Sequence, residues 1–192
     1  MTLLKRRFSK NFLKYFFGFL FALLLLFVSL IGINESGYES LSPDEKARVK
    51  VCDRPMSEIV YDNQVYQVTV EQVRTYMKDI PDLIVYEYLP FCGAPSCVPP
   101  IHAHKFCKKK GLSVCVISST YDGLFQLQQK TLPLFVINHT VYGTDNYQKY
   151  SEQFYNALTG TTPEEREFHA YHYFKNGYYV CSYGSLESIH KQ

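Results

Sequence analysis

A chain of 192 residues with 17 Tyr, 14 Phe and no Trp carries enough aromatic and apolar surface for one core of ordinary domain size. Its 20 Lys and Arg nearly balance 18 Asp and Glu, yet Lys5, Arg6, Arg7, Lys10 and Lys14 all precede Tyr15 and every acidic residue lies beyond Ile33. The part past Ile33 therefore holds 15 basic and 18 acidic residues, a balance near −3, which excludes the basic surface that nucleic-acid binding needs.

From Tyr15 to Ile33 the chain runs 19 residues without a charge, and at about 1.5 Å per residue a helix of that length reaches roughly 28 Å, one hydrocarbon core. The spacing predicts a single transmembrane helix over 15–33, with the basic residues of 1–14 kept in the cytosol and the rest sent across. A cleaved signal peptide is the rival reading, since both share a basic start and an apolar core. Against it, the apolar run is longer than a usual signal core and no small-x-small pair follows it cleanly. Nor does a cysteine stand near its end to accept a lipid.

Residues 34–63 read as a tether followed by a short helix, because Ser42-Pro43-Asp44-Glu45 places an N-cap before a proline at the first helical position. Gln64 to Val68 is a strand-like run. Thr69-Val-Glu-Gln72 then has the spacing of a capping box and opens a helix through Lys78, ahead of Pro81. Leu83 to Leu89 predicts a buried strand, Ile101 to Lys110 a helix ending at Gly111, and Leu112 to Ser118 a second buried strand. A short helix is expected over Asp122 to Lys130. Beyond Pro133, Leu134 to Asn138 and Val141 to Gly143 read as an antiparallel hairpin, and Thr144 or Asp145 as the cap of a helix. In that helix Tyr147, Tyr150, Phe154, Tyr155 and Leu158 share one face. In the tail, 161–192, Thr162-Pro163-Glu164-Glu165 again combines N-cap, proline and box glutamate, with Asn176-Gly177 as the stop and a last strand at Tyr178 to Ser182. Strands alternating with helices predict an α/β fold, and the hairpin makes its sheet mixed.

All six cysteines, at 52, 92, 97, 107, 115 and 181, lie past the apolar segment, where disulfides are permitted in an exported chain. Cys92-Gly-Ala-Pro-Ser-Cys97 sits between a predicted strand and helix. There, helix-terminal charge stabilises a thiolate, the form that attacks a disulfide. Proline is accepted only in the first helical turn, so Pro99 and Pro100 set the helix start near Val98 and make Cys97 the cysteine nearest it.

The order strand, cysteine pair, helix, strand, helix, Pro133, hairpin, helix resembles the thioredoxin-like superfamily over Leu83 to Gly160. It is similar in layout to that superfamily's membrane-anchored envelope thiol–disulfide oxidoreductases. The resemblance implies a thioredoxin-like mixed β-sheet flanked by helices over 64–160, with 161–192 packed on it. It also implies thiol–disulfide exchange on exported proteins, with Cys92 attacking, Cys97 resolving, and Pro133 as a cis-proline packed against the pair. It calls for no cofactor. The sequence departs from the usual pattern in having four residues between the cysteines and Phe91 in place of tryptophan. On dipole grounds it also points to Cys97, not Cys92, as the more acidic thiol.

Two other readings belong to the same resemblance. One is a redox-inactive module of the cell envelope, in which the pair is a static bridge. The other is a copper-delivery protein, whose pattern is a cysteine pair with three intervening residues and a distant histidine. Here four residues intervene and the late histidine, His139, falls in the expected hairpin turn, while His102 and His104 follow Cys97 as imidazoles suited to copper or zinc. Alternate helical positions point about 200° apart, so those two histidines do not ligate one ion together and no metal site is expected. Cys107 and Cys115 read as small buried residues, and Cys52 with Cys181 as a possible staple between flanking segments. Lys108-Lys109-Lys110 reads as a solvated helix end. The sequon at Asn138-His139-Thr140 reads as a chance triplet, and the aromatic residues between His169 and Tyr183 as core and rim packing.

Overall fold

The computed structural model describes residues 10–32, 34–94, 97–127, 131–166 and 169–190. They form two compact units, Met1–Glu35 and Ser36–Gln192. In the first, α1 runs Lys10–Gly32 as one helix of 23 residues, and its described side chains, 14–26, are all exposed. Among the described residues no helix is long and apolar enough to cross a membrane. The expected span, ending at Ile33, runs past the described side chains of α1.

The second unit is a seven-stranded mixed sheet flanked by helices. Its chain order is α2 (Pro43–Arg48), β1 (Val49–Val51), β2 (Val65–Val68), α3 (Val70–Met77), β3 (Asp82–Tyr88), α4 (Pro100–Lys109) and β4 (Ser113–Ser118). There follow β5 (Leu134–Ile137), α5 (Tyr147–Thr159), α6 (Pro163–Arg166), β6 (Tyr171–Lys175) and β7 (Tyr178–Tyr183). In the sheet the strands lie in the order β1-β2-β5-β4-β3-β6-β7. The first five are mutually parallel, whereas β6 runs antiparallel to β3 and β7 antiparallel to β6.

Local chemistry explains the helix starts. Ser42 and Thr69 each accept from the backbone N–H three residues on, and Glu45 and Gln72 return the bond to the cap residue, so both are complete capping boxes. Thr162 and Glu165 bond reciprocally in the same way at α6. Asn146, not Thr144 or Asp145, caps α5 by accepting from Lys149 N–H at 3.1 Å.

β3 reads Asp-Leu-Ile-Val-Tyr-Glu-Tyr and is covered on both faces, as a central strand must be when helices lie on either side. Leu83 and Val85 point to the face covered by α3 and α5, where Val73, Tyr150, Phe154 and Tyr155 are buried with them. Ile84, Tyr86 and Tyr88 point to the other, against Ala103 and Cys107 of α4 and Tyr171 and Tyr173 of β6. Burying one such side chain stabilises by roughly 1.5–3 kcal/mol.

Three expectations are corrected. The antiparallel hairpin is not at 134–143, because residues His139–Tyr142 form a 3-10 turn and β5 lies wholly among parallel strands. It is β6 and β7, and the helix expected from Pro163 to Asn176 ends at Arg166. Asn176 (φ 52°) and Gly177 (φ 81°) form its two-residue turn, both in the left-handed region such turns require. The tail is thus part of the main sheet, since β6 pairs with central β3 from Asp82↔Lys175 to Tyr86↔Tyr171. The helix expected over Asp122 to Lys130 is a turn at Leu124–Gln126, with 128–130 outside the described residues.

A chain ending at Gly160 should therefore fail to fold cooperatively, because it leaves one side of β3 unpaired and removes Tyr171, Tyr173 and Phe174 from the core. Loss of a sigmoidal urea transition followed by circular dichroism checks this; a native-like transition would show the tail to be dispensable.

Candidate functional site

Cys92 and Cys97 form a disulfide with Cα atoms 5.8 Å apart. Both follow the C-terminal end of β3, the end of a parallel sheet where ligand sites gather because loops there diverge. Short turns shape the segment: Cys92 N–H donates to Leu89 C=O at 3.0 Å and Cys97 N–H to Ala94 C=O at 2.9 Å, with Pro95 and Ser96 outside the described residues. The buried Tyr86 hydroxyl then donates to Val98 C=O at 2.9 Å, tying the residue after Cys97 to the sheet. Its ring stacks on Tyr171 with centroids 4.5 Å apart.

Pro99 is the N-cap of α4 and Pro100 its first residue. The helix starts two residues later than expected near Val98, so Cys97 lies ahead of the cap. Since dipole stabilisation fades within the first turn, its effect on Cys97 is weaker than the sequence suggested. Cys97 remains the nearer of the two.

Beside the disulfide lies a groove of about 510 Å³, whose lining includes Cys97, Glu87, Leu89, Tyr147, Glu152 and Arg166. Glu87 is the last residue but one of β3 and points to the α5 face. Its Oε1 accepts from Ser119 Oγ at 3.3 Å. Tyr147, the first residue of α5, meets Phe91 edge to face at 5.8 Å, so an aromatic pair stands next to Cys92. Arg166 is buried, donates through Nε and a terminal nitrogen to Asn156 Oδ1 at 3.2 and 2.8 Å, and lies 5.9 Å from the Tyr155 ring. Sequence reading missed Glu87 and Arg166, since one looks like strand filler and the other like a helix-terminal charge.

Pro133 is not among the groove residues. It precedes β5, which is parallel to β3 and separated from it by β4, and there is no cis peptide bond among the described residues. The residue leading into β3's antiparallel neighbour, on the groove wall, is Ala170, whose carbonyl accepts from Glu87 N–H at 2.8 Å. The structure joins Cys92 to Cys97, while Pro133 lines a different pocket, with Tyr88 and Pro100.

The remaining cysteines are thiols. Burial pushes Cys107 up to about 11 and Cys115 up to about 12, which keeps both protonated and inert at neutral pH. Cys52, just past β1, and Cys181, in β7, lie at opposite edges of the sheet, so the staple between them does not form. His102 is exposed and His104 half-buried on α4, and among the described residues no three His, Cys, Asp or Glu side chains are grouped to hold a metal ion. Asn138 is buried and its Oδ1 accepts from Thr140 Oγ1 at 2.7 Å, so the turn itself uses the sequon. Of the tail aromatics, Tyr171, Tyr173 and Phe174 are core, whereas Tyr178 is 79% exposed.

Comparison with protein-family models, with curated proteins and with solved structures finds no match to this chain.

The bridge spans a sequence separation of 5, and closing so short a loop contributes only about 2 kcal/mol on chain-entropy grounds. The core clusters lie outside it. Reduction should therefore lower stability by about 2 kcal/mol and leave secondary structure intact, as read from urea midpoints and circular dichroism with and without reductant. Unfolding on reduction would mark the bridge as structural.

Proposed function

We propose that this protein is a membrane-tethered, thioredoxin-like thiol–disulfide exchange protein acting on exported proteins through Cys92 and Cys97. The observation that carries this reading is a disulfide at the end of a central parallel strand with one of its cysteines, Cys97, on the wall of a groove. The surroundings support it: strand, cysteine pair, helix and parallel strand follow in order, and an antiparallel hairpin completes the sheet beside β3.

Exchange would run as follows. With Cys92 joined to a partner sulfur, Cys97 loses its thiol proton to Glu87, the carboxylate sharing its groove. The Cys97 thiolate attacks Cys92 Sγ, forming the Cys92–Cys97 bond and breaking the bond to the partner, whose thiolate takes the proton back. Two electrons pass from the protein dithiol to the partner disulfide, and the reverse sequence oxidises a partner dithiol. Glu87 and Tyr147 border the space a partner segment would occupy. The direction of transfer follows from the relative stability of the bridged and reduced forms.

Catalysed reduction of a disulfide substrate by the full chain in detergent is the expected result, with Cys97→Ser lowering the rate at least 100-fold. Undiminished turnover in that variant would overturn the assignment. A full chain with no exchange activity and a bridge resistant to mild reductant would instead favour the redox-inactive envelope module, the reading suggested by four residues between the cysteines.

The tether rests on the charge asymmetry of the N-terminal segment and on the apolar run that follows. Full-length protein should sediment with membranes and resist carbonate extraction, while a chain starting at Ser36 should be released to the soluble fraction. Carbonate-soluble full-length protein would contradict a spanning anchor.

A further inference from the structure

His172 stands behind the groove wall with nothing exposed. It sits in β6 opposite Val85 of β3, on the same sheet face as Glu87. Four neighbouring elements surround it. Tyr155 of α5 packs against its ring with centroids 4.9 Å apart, and its Nδ1 is 2.8 Å from Ser182 Oγ of β7, which is itself 2.8 Å from the Tyr179 hydroxyl. Arg166 of α6 and His169 ahead of β6 are the positive or titratable groups nearby, and Glu87 of β3 is the negative one. Burial keeps the imidazole pKa below its ordinary value, with Arg166 and His169 acting in the same sense and Glu87 against it, so the ring is neutral at pH 7.

The other ring nitrogen is the unusual one. Nε2 is fully buried and has no hydrogen-bond partner among the described residues, although Glu87 Oε2 lies 3.8 Å away. A buried polar atom left unpaired costs roughly 1–3 kcal/mol, so an apolar ring would be the more stable choice at this position unless the nitrogen has a task. The separation is somewhat beyond hydrogen-bond length, and a small turn of the Glu87 side chain closes it. Either hydroxyl of the Tyr179–Ser182 pair can donate; when Tyr179 donates to Ser182 and Ser182 donates to Nδ1, the proton is left on Nε2, facing Glu87.

We propose that His172 is a positioning residue for the exchange site, its Nε2–H turning the Glu87 carboxylate so that it can take the Cys97 thiol proton. The role rests on the exchange function proposed above. It adds a chain from Tyr179 through Ser182 and His172 to Glu87, in which the half-buried Tyr179 end selects the tautomer and the groove end handles the proton. No net redox change occurs along that chain. One proton moves from Cys97 Sγ to Glu87 and returns to the leaving sulfur, while His172 keeps its own.

Nitrogen-15 NMR of the imidazole in the full chain reads the tautomer without any need for turnover. Expected is protonated Nε2 and bare Nδ1 at pH 7, with the Nε2–H resonance moving in Glu87→Gln; a protonated Nδ1, or a resonance indifferent to Glu87→Gln, overturns the contact. In the exchange assay, His172→Phe keeps a ring against Tyr155 but loses Nε2, and the acid limb of its pH–rate profile should move up by about one pH unit, so that rates below the limb fall about tenfold. If that variant does not fold, Ser182→Ala, which frees the tautomer, should move the limb in the same direction by less. Exchange with an unmoved acid limb overturns the role of His172 alone. No exchange in the parent chain overturns the exchange function, and with it this role, whatever the tautomer.

Discussion

The structure depends on the two-sided burial of β3. A strand of seven residues with β4 parallel on one side and β6 antiparallel on the other has no free edge, and its side chains alternate into two separate apolar layers. That arrangement fixes where the strand ends, and the end is where the cysteine pair begins. It also explains why the one charged side chain in its last turns, Glu87, is displayed at the rim: deeper in the strand an ionised carboxylate would need a paired charge or a full set of donors.

The two layers contribute differently to the site. On the α4 face, Tyr86 and Tyr171 stack beneath the loop, and the Tyr86 hydroxyl holds the Val98 carbonyl, which sets the start of α4 relative to Cys97. On the α5 face, Tyr155, His172 and Arg166 form a polar seam within an otherwise apolar layer, opening onto the groove that Cys97 lines. A short bridge bonded into neither layer can open without dismantling either, which suits a reversible dithiol and matches the small entropic weight of so short a loop.

Much of the local structure was legible because it is written in short-range chemistry. The capping boxes at Ser42, Thr69 and Thr162, the strands around 83–89 and 112–118, and the buried face of α5 all follow from spacing and hydrophobic period. The hairpin was misplaced for a physical reason. Thr162-Pro163-Glu164-Glu165 is a true helix start, and its pattern drew the expected helix through residues that alternate as a strand. Tyr171 and Tyr173 turn to one face and His172 and Phe174 to the other, ahead of an Asn-Gly pair in left-handed conformation. That alternation joined to Asn-Gly was the available signal.

By itself the sequence determined an α/β chain with an apolar, positively flanked N-terminal segment and a cysteine pair between strand and helix, because periodicity, charge placement and caps act over a few residues. Only the tertiary structure decided which strands are neighbours. Insertion of β5 between β2 and β4 puts two strands between Pro133 and β6, β6 beside β3 brings Ala170 and Arg166 to the groove that Cys97 lines, and opposite sheet edges part Cys52 from Cys181. Those pairings join residues distant in the chain through backbone ladders, and a ladder depends on long-range register that no local pattern encodes.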